Sequence, residues 1–312
     1  MIQKTYVILA HKAPQQLKKL IDRLNDENSA FFIHIDKKSD IQPFTEIIKG
    51  ENIHFLPEKD RINCLWGDFS QIIATINLMR AAVKSGRKGV VVQLTGQDYP
   101  IRSNRAIDDF LEKNADLNFI DSIPVEENWA ETYRDKTESY KFNLSAGRGH
   151  CVTFRKVSKA SVKALLNGTI TMSQFLLLFK KRKLKLGLRQ YGGSAWWTLN
   201  METLRKMYDY ITGNYSVLYK YYQYTTCPDE IFFQTIAKYL SETDSSVKLF
   251  PTITYVNWTR DLQAASPVVF TLNDLPELKE KSQQFLFARK FDADLDSEVF
   301  DELDKMNLTQ KK

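Results

Sequence analysis

Short apolar runs alternate with stretches of helical spacing in the first third of the chain. Residues Thr5 to Ala10 form an apolar, β-branched run that stops at His11-Lys-Ala-Pro14. Apolar residues then recur at the spacing of one helix face, at Leu17, Leu20, Ile21 and Leu24. The first unit of the predicted fold is therefore a strand, a loop and a helix.

The same alternation continues to residue 100. Further apolar runs predict three strands, and an amphipathic stretch predicts a second helix. The strands are Ala30 to Ile35, Ile53 to Leu56 and Gly89 to Leu94, and the helix is Phe69 to Val83. Strands that alternate with helices predict an α/β fold, with a mixed, mostly parallel sheet flanked by helices.

The second half of the chain has less regular spacing. It predicts a strand at Ser194 to Leu199, a helix from Pro228 to Tyr239 and an extended segment from Thr252 to Trp258. The sequence contains no internal repeat, low-complexity linker or clear domain boundary. We therefore predict a single domain over 1–312.

Polar residues follow the predicted strands of the first half. His11 and Asp36 come directly after two of the strands, and Gln97 and Asp98 follow a third. Ligands of parallel α/β sheets bind beyond the carboxyl ends of the strands. We therefore expect these four side chains to contribute to a ligand site.

Composition narrows the class of ligand. The chain has 312 residues, 43% of them hydrophobic and 12% aromatic, so it can bury a large core and still offer rings for flat ligands. Its formal net charge of +6 is modest for this length. This argues against a nucleic-acid partner and fits a small phosphate-bearing ligand.

The cysteines and the N-terminal residues predict a cytoplasmic protein. Cys64, Cys151 and Cys227 are widely spaced and form neither a disulfide framework nor a zinc pattern, which indicates a reducing compartment. The apolar run after Met1 has only about six residues, too few for a signal peptide or a membrane span.

A basic run contributes much of the positive charge. It extends from Lys180 to Arg189 and follows the apolar residues 175–179. Such a run is typical of a solvated surface segment. It also fits a peripheral contact with an anionic bilayer, such as the inner face of the plasma membrane. The pattern leaves both interpretations open.

Two adjacent carboxylates, Asp229 and Glu230, follow Pro228 at a predicted helix start. Acidic residues are favoured there by the helix dipole, so a purely capping role is one interpretation. A carboxylate held rigidly beside Phe232 and Phe233 would also suit a general base. The spacing does not decide which of the two faces a cleft.

Two further motifs combine features of a binding site with those of a core. The segment Gly192 to Ser194 would let a ligand approach the backbone, and Trp196 and Trp197 follow it. A bulge with core tryptophans is the alternative. Near the C-terminus, Arg289 and Lys290 lie inside an apolar run, where either a diphosphate or solvent would compensate their charges.

No metal site is predicted. The acidic residues Asp292, Asp294 and Asp296 have the spacing of a metal-binding cluster, but their polar segment better fits a solvated helix start. The histidines lack ligand spacing, and the chain has no Gly-rich phosphate loop or Ser-centred elbow.

Eight segments, in this order, resemble the core-2/I-branching N-acetylglucosaminyltransferase family, which also contains the peptide O-xylosyltransferases. Each segment is a weak signal by itself, whereas the ordered set spans most of the chain and is specific. The segments are Tyr6 to Lys12, Phe32 to Lys37, Trp66 with the following helix, Leu94 to Ile101, Gly193 to Ala195, Pro228 to Glu230, Tyr255 to Trp258 and Leu286 to Asp292.

The resemblance implies a GT-A-like (Rossmann-like) fold and an inverting, metal-independent glycosyltransferase. The enzyme would move a sugar, most simply N-acetylglucosamine, from a UDP-sugar to a hydroxyl group of a glycan acceptor. The UDP-sugar is a substrate, and no cofactor is implied. Residues 1–120 would form the nucleotide-sugar-binding half, and 121–312 the acceptor-binding and catalytic half.

The resemblance also implies residue roles. Glu230 matches the base that deprotonates the acceptor, and Lys290 matches the cation that neutralises the donor diphosphate. The other predicted donor-binding residues are His11, Asp36, Gln97, Asp98 and Arg289. The predicted acceptor or cleft residues are Gly193, Ser194, Trp196, Trp258 and Arg260.

The chain departs from the vertebrate pattern in two ways. It is not rich in cysteine, so we expect a bacterial enzyme acting on a glycan or lipid-linked glycan in surface polysaccharide synthesis. A second basic residue of the pattern has no counterpart in Ala264 to Pro267, and Arg289 or Arg260 would substitute for it. A xylosyltransferase and a non-catalytic UDP-sugar or glycan-binding protein are the alternatives.

Overall fold

The computed structural model describes residues 1–258 and 267–309. Strands and helices alternate along the first half of the chain, as the hydrophobic pattern predicts. The strands are β1 (Lys4–Ala10), β2 (Ser29–Ile35), β3 (Ile53–Phe55), β4 (Val90–Thr95), β5 (Asp98–Pro100), β6 (Leu117–Phe119), β7 (Ile123–Pro124), β8 (Tyr140–Asn143), β9 (Cys151–Phe154), β10 (Tyr191–Gly192), β11 (Thr198–Asn200), β12 (Lys248–Phe250), β13 (Thr254–Val256) and β14 (Phe287–Arg289).

Helices connect most of these strands. They are α1 (Pro14–Leu24), α2 (Gln42–Ile47), α3 (Phe69–Lys84), α4 (Asn104–Lys113), α5 (Val125–Asn128), α6 (Tyr133–Thr137), α7 (Lys159–Leu166), α8 (Met172–Leu177), α9 (Met201–Gly213), α10 (Tyr215–Tyr222), α11 (Phe232–Thr243), α12 (Leu275–Lys281) and α13 (Glu298–Thr309). Among the described residues, none of these helices combines the length and the apolar character needed to cross a membrane.

A seven-stranded sheet with the order β12-β6-β11-β4-β1-β2-β3 forms the centre of the molecule. Four of its strand pairs are parallel, and β11 runs antiparallel to both of its neighbours. The prediction of a mixed, mostly parallel sheet flanked by helices is therefore confirmed. Strands from both predicted halves share this sheet, and the functional division near residue 120 stays a prediction.

Each face of the sheet carries its own hydrophobic core because side chains alternate along a strand. Tyr6, Ile8 and Ala10 of β1 pack on the side covered by α1, α4 and α13. Val7 of the same strand packs on the opposite side, against α3, α9 and α11. β1 is thus buried on both faces, which explains its continuous apolar sequence.

The predicted helix from Pro228 to Tyr239 is wrong in its first turn. Residues Pro228–Glu230 form a separate 3-10 turn, and α11 begins after Ile231. The carbonyl oxygen of Glu230 accepts a hydrogen bond from the Gly193 amide at 3.0 Å. This contact with a distant segment replaces the bond that a continuous helix would use. The predicted strand over Ser194 to Leu199 is likewise reduced to β11.

Strand β4 begins after a glycine that packs directly on the N-terminal segment. Gly89 has a φ of 77°, and a Cβ atom there would lie 2.1 Å from the carbonyl oxygen of Gln3. That same oxygen accepts the amide of Val90 at 3.0 Å, which sets the start of the β1–β4 pair. Both the backbone angle and the close approach therefore require glycine at this position.

We expect Gly89→Ala to lower the free energy of unfolding by about 3 kcal/mol or more, because it adds a backbone clash to the cost of a positive φ. Gly86→Ala is the matched control, since Gly86 has a φ of 71° and open space around it. The control should lose only about 1 kcal/mol. Urea unfolding followed by circular dichroism measures both values. Equal losses would show that the approach to Gln3 does not constrain the fold.

Candidate active site

The residues that follow β1 and β2 meet at one edge of the sheet. The amide of Asp36 donates to the carbonyl of Ala10 at 2.8 Å, and the Ser39 hydroxyl donates to the carbonyl of His11 at 2.6 Å. The loop after β4 joins them, because the Gly96 amide donates to Leu9 at 2.9 Å. The predicted strand-end residues therefore lie at a common edge, as parallel strands require.

Asp36 is largely buried at this edge. One of its carboxylate oxygens accepts the backbone amide of Lys38 at 2.9 Å, and the Lys38 ammonium lies 3.7 Å from the other oxygen. Arg61 supports the loop from below, by donating to the carbonyl oxygens of Ile35, Asp36 and Ser39. Sequence reasoning missed Arg61, whose position in an irregular segment gave no signal.

Asp98 lies fully inside the protein, where four hydrogen bonds reach its carboxylate. The donors are the Thr95 amide at 2.6 Å, the Thr95 hydroxyl at 2.9 Å, Trp196 Nε1 at 2.8 Å and Arg289 Nη1 at 3.0 Å. Asp98 thus fixes the positions of Trp196 and Arg289. Its predicted contact with a nucleotide-sugar donor stays a prediction.

The cleft tryptophans have different environments. Trp196 is partly exposed, and the Arg289 guanidinium stacks over its ring with 4.3 Å between the guanidinium carbon and the ring centroid. Trp197 is only 1% exposed and packs in the core, where its ring is tilted by 56° relative to that of Phe233. The alternative interpretation, a core tryptophan, is therefore correct for Trp197 but not for Trp196.

Gln97 and Gln16 connect this edge to the C-terminal segment, and sequence reasoning missed Gln16. The amide of Phe291 donates to the Gln97 carbonyl at 2.8 Å. The buried side chain of Gln16 donates to Gly96 and Phe291, and accepts from Ala293 at 2.8 Å. Gln16 lies one helical turn before Leu20, and a polar residue on that apolar face was the available signal.

Several cations surround Lys290. Burial, followed by the charges of Arg289 and Arg148, lowers the pKa of Lys290. Burial and neighbouring Lys12 likewise lower the pKa of His11. Within the described residues the Lys290 ammonium forms no hydrogen bond or ion pair, whereas Lys12 pairs with Asp292 at 2.6 Å. A concentration of positive charge of this kind attracts an anionic group.

Glu230 and Asp229 have different environments. The side chain of Glu230 is 26% exposed and pairs with the Lys136 ammonium at 2.8 Å. That ammonium also lies 4.3 Å from the centre of the Trp129 ring. The Oδ1 atom of Asp229 is instead buried. The Glu230 carboxylate is therefore partly open to solvent and balanced by a cation, whereas one carboxylate oxygen of Asp229 is enclosed by the protein.

Two close backbone approaches hold the Glu230 segment. A Cβ atom on Gly192 would lie 2.2 Å from the Trp129 ring, and one on Gly193 would lie 2.1 Å from Asp121 Cβ. The Asp121 carboxylate also accepts the amides of Ser194 and Thr252 at 2.9 and 3.0 Å. The sequence predicted that a ligand would approach these glycines closely. In the structure it is Trp129 and Asp121 that approach them, and the Gly193 amide bonds to the Glu230 carbonyl.

Three buried polar side chains form a small cluster next to Glu230 in the chain or in contact with its turn. Asp229 Oδ1, Ser194 Oγ and Gln234 Oε1 are all buried without a hydrogen-bond partner in the described part of the chain. The Gln234 amide donates to the carbonyl oxygens of Ser194 and Asp229, at 2.7 and 3.1 Å. Burial and the neighbouring charge of Glu230 raise the pKa of Asp229 from 3.8 to about 6.

The remaining predicted residues are less informative. Trp258 is 49% exposed, and Arg260 lies outside the described residues. Asp296 accepts the amides of Glu298 and Val299 at 2.9 and 3.2 Å, so the helix-start interpretation of the acidic triplet is confirmed for Asp296, whereas Asp292 pairs with Lys12. Within 1–258 and 267–309, no three His, Cys, Asp or Glu side chains are placed to hold a metal ion.

The fold and the site together define a class of protein. A GT-A-like sheet carries a cation-rich strand edge, and the partly exposed carboxylate of Glu230 lies on the turn before α11. The model of the core-2/I-branching enzyme family matches residues 5–279. The chain belongs to that family, which confirms the resemblance inferred from the eight segments.

Individual relatives agree with this assignment. Xylosyltransferase 2 of Homo sapiens is 26% identical over 325 residues, which cover 97% of this chain and 33% of the relative. Xylosyltransferase 1 of Homo sapiens is 24% identical, with 97% and 30% covered. Xylosyltransferase 2 of Rattus norvegicus is 25% identical. The chain therefore spans about a third of the length of these curated relatives.

The raised pKa of Asp229 leads to a stability prediction. Because the folded protein holds this proton more tightly than the unfolded chain, ionising Asp229 destabilises the fold. The penalty is absent below a pH of about 4 and complete above a pH of about 6. Asp229→Asn cannot ionise, so its stability relative to the wild type should rise between these values, by up to about 3 kcal/mol.

Urea unfolding of both proteins at a series of pH values measures this difference. Asp209→Asn, at an exposed position, is the control and should show a difference that does not change with pH. A constant difference for Asp229→Asn would contradict the raised pKa.

Proposed function

We propose that this protein is an inverting, metal-independent glycosyltransferase, with a UDP-sugar donor and Glu230 as its base. The observation that carries the proposal is the contrast between the two adjacent carboxylates. Glu230 is partly exposed and paired with Lys136, whereas the Oδ1 atom of Asp229 is buried. A base in such a position is within reach of an acceptor hydroxyl group.

The proposed reaction is one displacement. The acceptor oxygen forms a bond to the anomeric carbon as the bond from that carbon to UDP breaks. The hydroxyl proton passes to Glu230, and UDP leaves with the electron pair of the broken bond. Before transfer, the Lys136 ammonium stabilises the carboxylate form of Glu230, which is the form that accepts a proton.

The donor diphosphate is proposed to lie at the cation-rich edge. Lys290 has no ion pair among the described residues, so its charge is available to an incoming phosphate. Arg289 is held by Asp98 and Thr95, and this bond compensates part of its charge. Fixed cations can stabilise a departing diphosphate in the way that a divalent metal does elsewhere. Lys290 is therefore proposed as the main electrostatic group, with Arg289 and His11 beside it.

The donor sugar and the acceptor are proposed from the family. N-acetylglucosamine is the first candidate donor sugar, and xylose is the second because the named relatives are xylosyltransferases. The proposed acceptor is a glycan or lipid-linked glycan of bacterial surface polysaccharide synthesis. A cytoplasmic location completes the proposal.

We expect one donor in a panel of UDP-sugars to be hydrolysed or transferred in the presence of EDTA. Glu230→Gln should release UDP at least about a hundredfold more slowly, because a positioned base contributes about that much. Glu51→Gln, at an exposed position away from the sheet edge, is the matched control and should keep the wild-type rate. A Glu230→Gln enzyme as fast as the wild type would reduce this residue to a helix cap. Binding of a donor without turnover would support the non-catalytic alternative.

A second variant tests the donor side. Lys290→Met should weaken the binding of UDP about tenfold or more, because it removes a charged partner of the diphosphate. Lys279→Met, an exposed change of the same kind on α12, should leave the affinity unchanged. Titration calorimetry with UDP measures both. Equal affinities for Lys290→Met and the wild type would place the diphosphate elsewhere.

A further inference from the structure

Positive charge is segregated along this chain to a degree that the net charge conceals. Between Ser139 and Met201 the sequence contains twelve Lys and Arg residues and not one Asp or Glu. The whole chain has 44 basic and 38 acidic residues, so the rest of it is acidic on balance. A uniform surface would mix both signs, and this segment does not.

Helices α7 and α8 present apolar side chains on the outside of this segment. Their inner sides pack with Tyr140 and Phe142 of the β8–β9 hairpin, in a small core that includes Ala164, Ile170 and Leu178. Their outer sides carry large apolar residues that are more than half exposed. These are Leu166 (82%), Met172 (58%), Leu176 (55%) and Phe179 (67%).

Unpaired lysines border these apolar side chains. Lys159 and Lys163 lie on the outer side of α7, and residues 180–185 follow α8 directly. In that stretch Lys181, Lys183 and Lys185 are exposed, while Arg182 and Leu184 between them are buried. Within the described residues, none of the exposed lysines at 159, 163, 180, 181, 183 and 185 forms an ion pair.

The basic run is therefore not a uniform surface. Arg182 is 6% exposed and donates hydrogen bonds to the carbonyl oxygens of Lys136 and Tyr221, at 3.1 and 3.3 Å. Arg189 bonds to Glu126 at 3.0 Å. These two arginines stabilise the protein itself, whereas the lysines of the run point to solvent with no protein partner. We define the cationic apolar face as the outer sides of α7 and α8 together with residues 179–185.

We propose that the cationic apolar face docks on an anionic phospholipid bilayer. Leu166, Met172, Leu176 and Phe179 would enter the headgroup region, and the lysines would lie over the lipid phosphates. An interfacial surface needs both contributions, buried apolar area and attraction to anionic lipid. A nucleic acid would match the lysines but would leave the four apolar side chains in water, so the bilayer accounts for both features.

The face is rigidly connected to the candidate active site. Arg182, inside the basic run, bonds to the carbonyl of Lys136, and the Lys136 side chain pairs with Glu230. Arg182 also bonds to the Thr225 hydroxyl, in the segment that leads to Pro228. Docking would therefore hold the cleft at a fixed position relative to the bilayer. This orienting role depends on the proposed function, whereas the docking itself does not.

Sedimentation with sucrose-loaded vesicles tests the docking without any turnover. The protein should bind vesicles of phosphatidylcholine mixed with phosphatidylglycerol, and should bind pure phosphatidylcholine far more weakly. High salt should reduce the binding, because screening weakens the attraction of the lysines. A wild-type protein that binds both vesicle types equally, or neither, would overturn the proposal.

Two variants separate the two contributions. Replacing Lys180, Lys181, Lys183 and Lys185 by Gln should weaken partitioning about a hundredfold or more, given the attraction of each lysine for an anionic surface. Replacing Leu166, Leu176 and Phe179 by Ser should weaken it about tenfold or more, because buried apolar area is lost.

The matched control replaces four exposed lysines elsewhere, Lys49, Lys84, Lys113 and Lys279, by Gln and so changes the net charge equally. It should bind like the wild type. If the control loses as much affinity as the first variant, the binding follows net charge and not this face. If wild-type protein binds an RNA oligonucleotide but not the anionic vesicles, a nucleic acid replaces the bilayer as the partner. Circular dichroism and thermal unfolding verify that every variant is folded.

Discussion

The buried carboxylate of Asp98 joins three parts of the chain that are distant in sequence. It accepts hydrogen bonds from the amide and hydroxyl of Thr95 at the end of β4, from the indole of Trp196 before β11, and from the guanidinium of Arg289 on β14. A buried carboxylate is stable only when its hydrogen-bonding capacity is met, and here it is. The loop after β4, the segment before β11 and strand β14 are therefore held together by one side chain. Its loss would leave the Arg289 guanidinium without its carboxylate partner.

The position of Glu230 depends on backbone contacts more than on its own side chain. Its carbonyl is bound by Gly193, and Gly192 and Gly193 approach Trp129 and Asp121 more closely than any residue with a Cβ could. The turn at Pro228 cannot continue into α11 under these conditions. With this interruption Glu230 pairs with Lys136, and the Oδ1 atom of Asp229 is buried. Gly192 and Gly193, which the sequence suggested for ligand binding, thus allow the Pro228–Glu230 turn to pack closely against the protein.

Strands and helices were predictable wherever their burial produced a hydrophobic pattern in the local sequence. β1 is buried on both faces and reads as a continuous apolar run, and α1 shows one apolar face, so both were expected at nearly their observed bounds. The break at Ile231 was not predictable, because Gly193, whose amide bonds to the Glu230 carbonyl, lies almost forty positions earlier in the chain. The internal hydrogen bonds of Asp98 and Arg182 were not predictable for a related reason. Their partners come from other segments of the chain, which local patterns do not identify.

Asp229 and Glu230 show how environment assigns different chemistry to neighbouring residues of one type. Two carboxylates side by side repel each other when both are ionised, and the fold limits this cost by burying one of them where its proton is favoured. The other is placed beside an ammonium group, where negative charge is stabilised. Burial and the charge of Glu230 raise the pKa of Asp229 to about 6, whereas Glu230 pairs with the Lys136 ammonium at 2.8 Å. A single 3-10 turn thus places two adjacent carboxylates in different electrostatic environments, because one has a buried oxygen without a hydrogen-bond partner in the described residues and the other has a cation beside it.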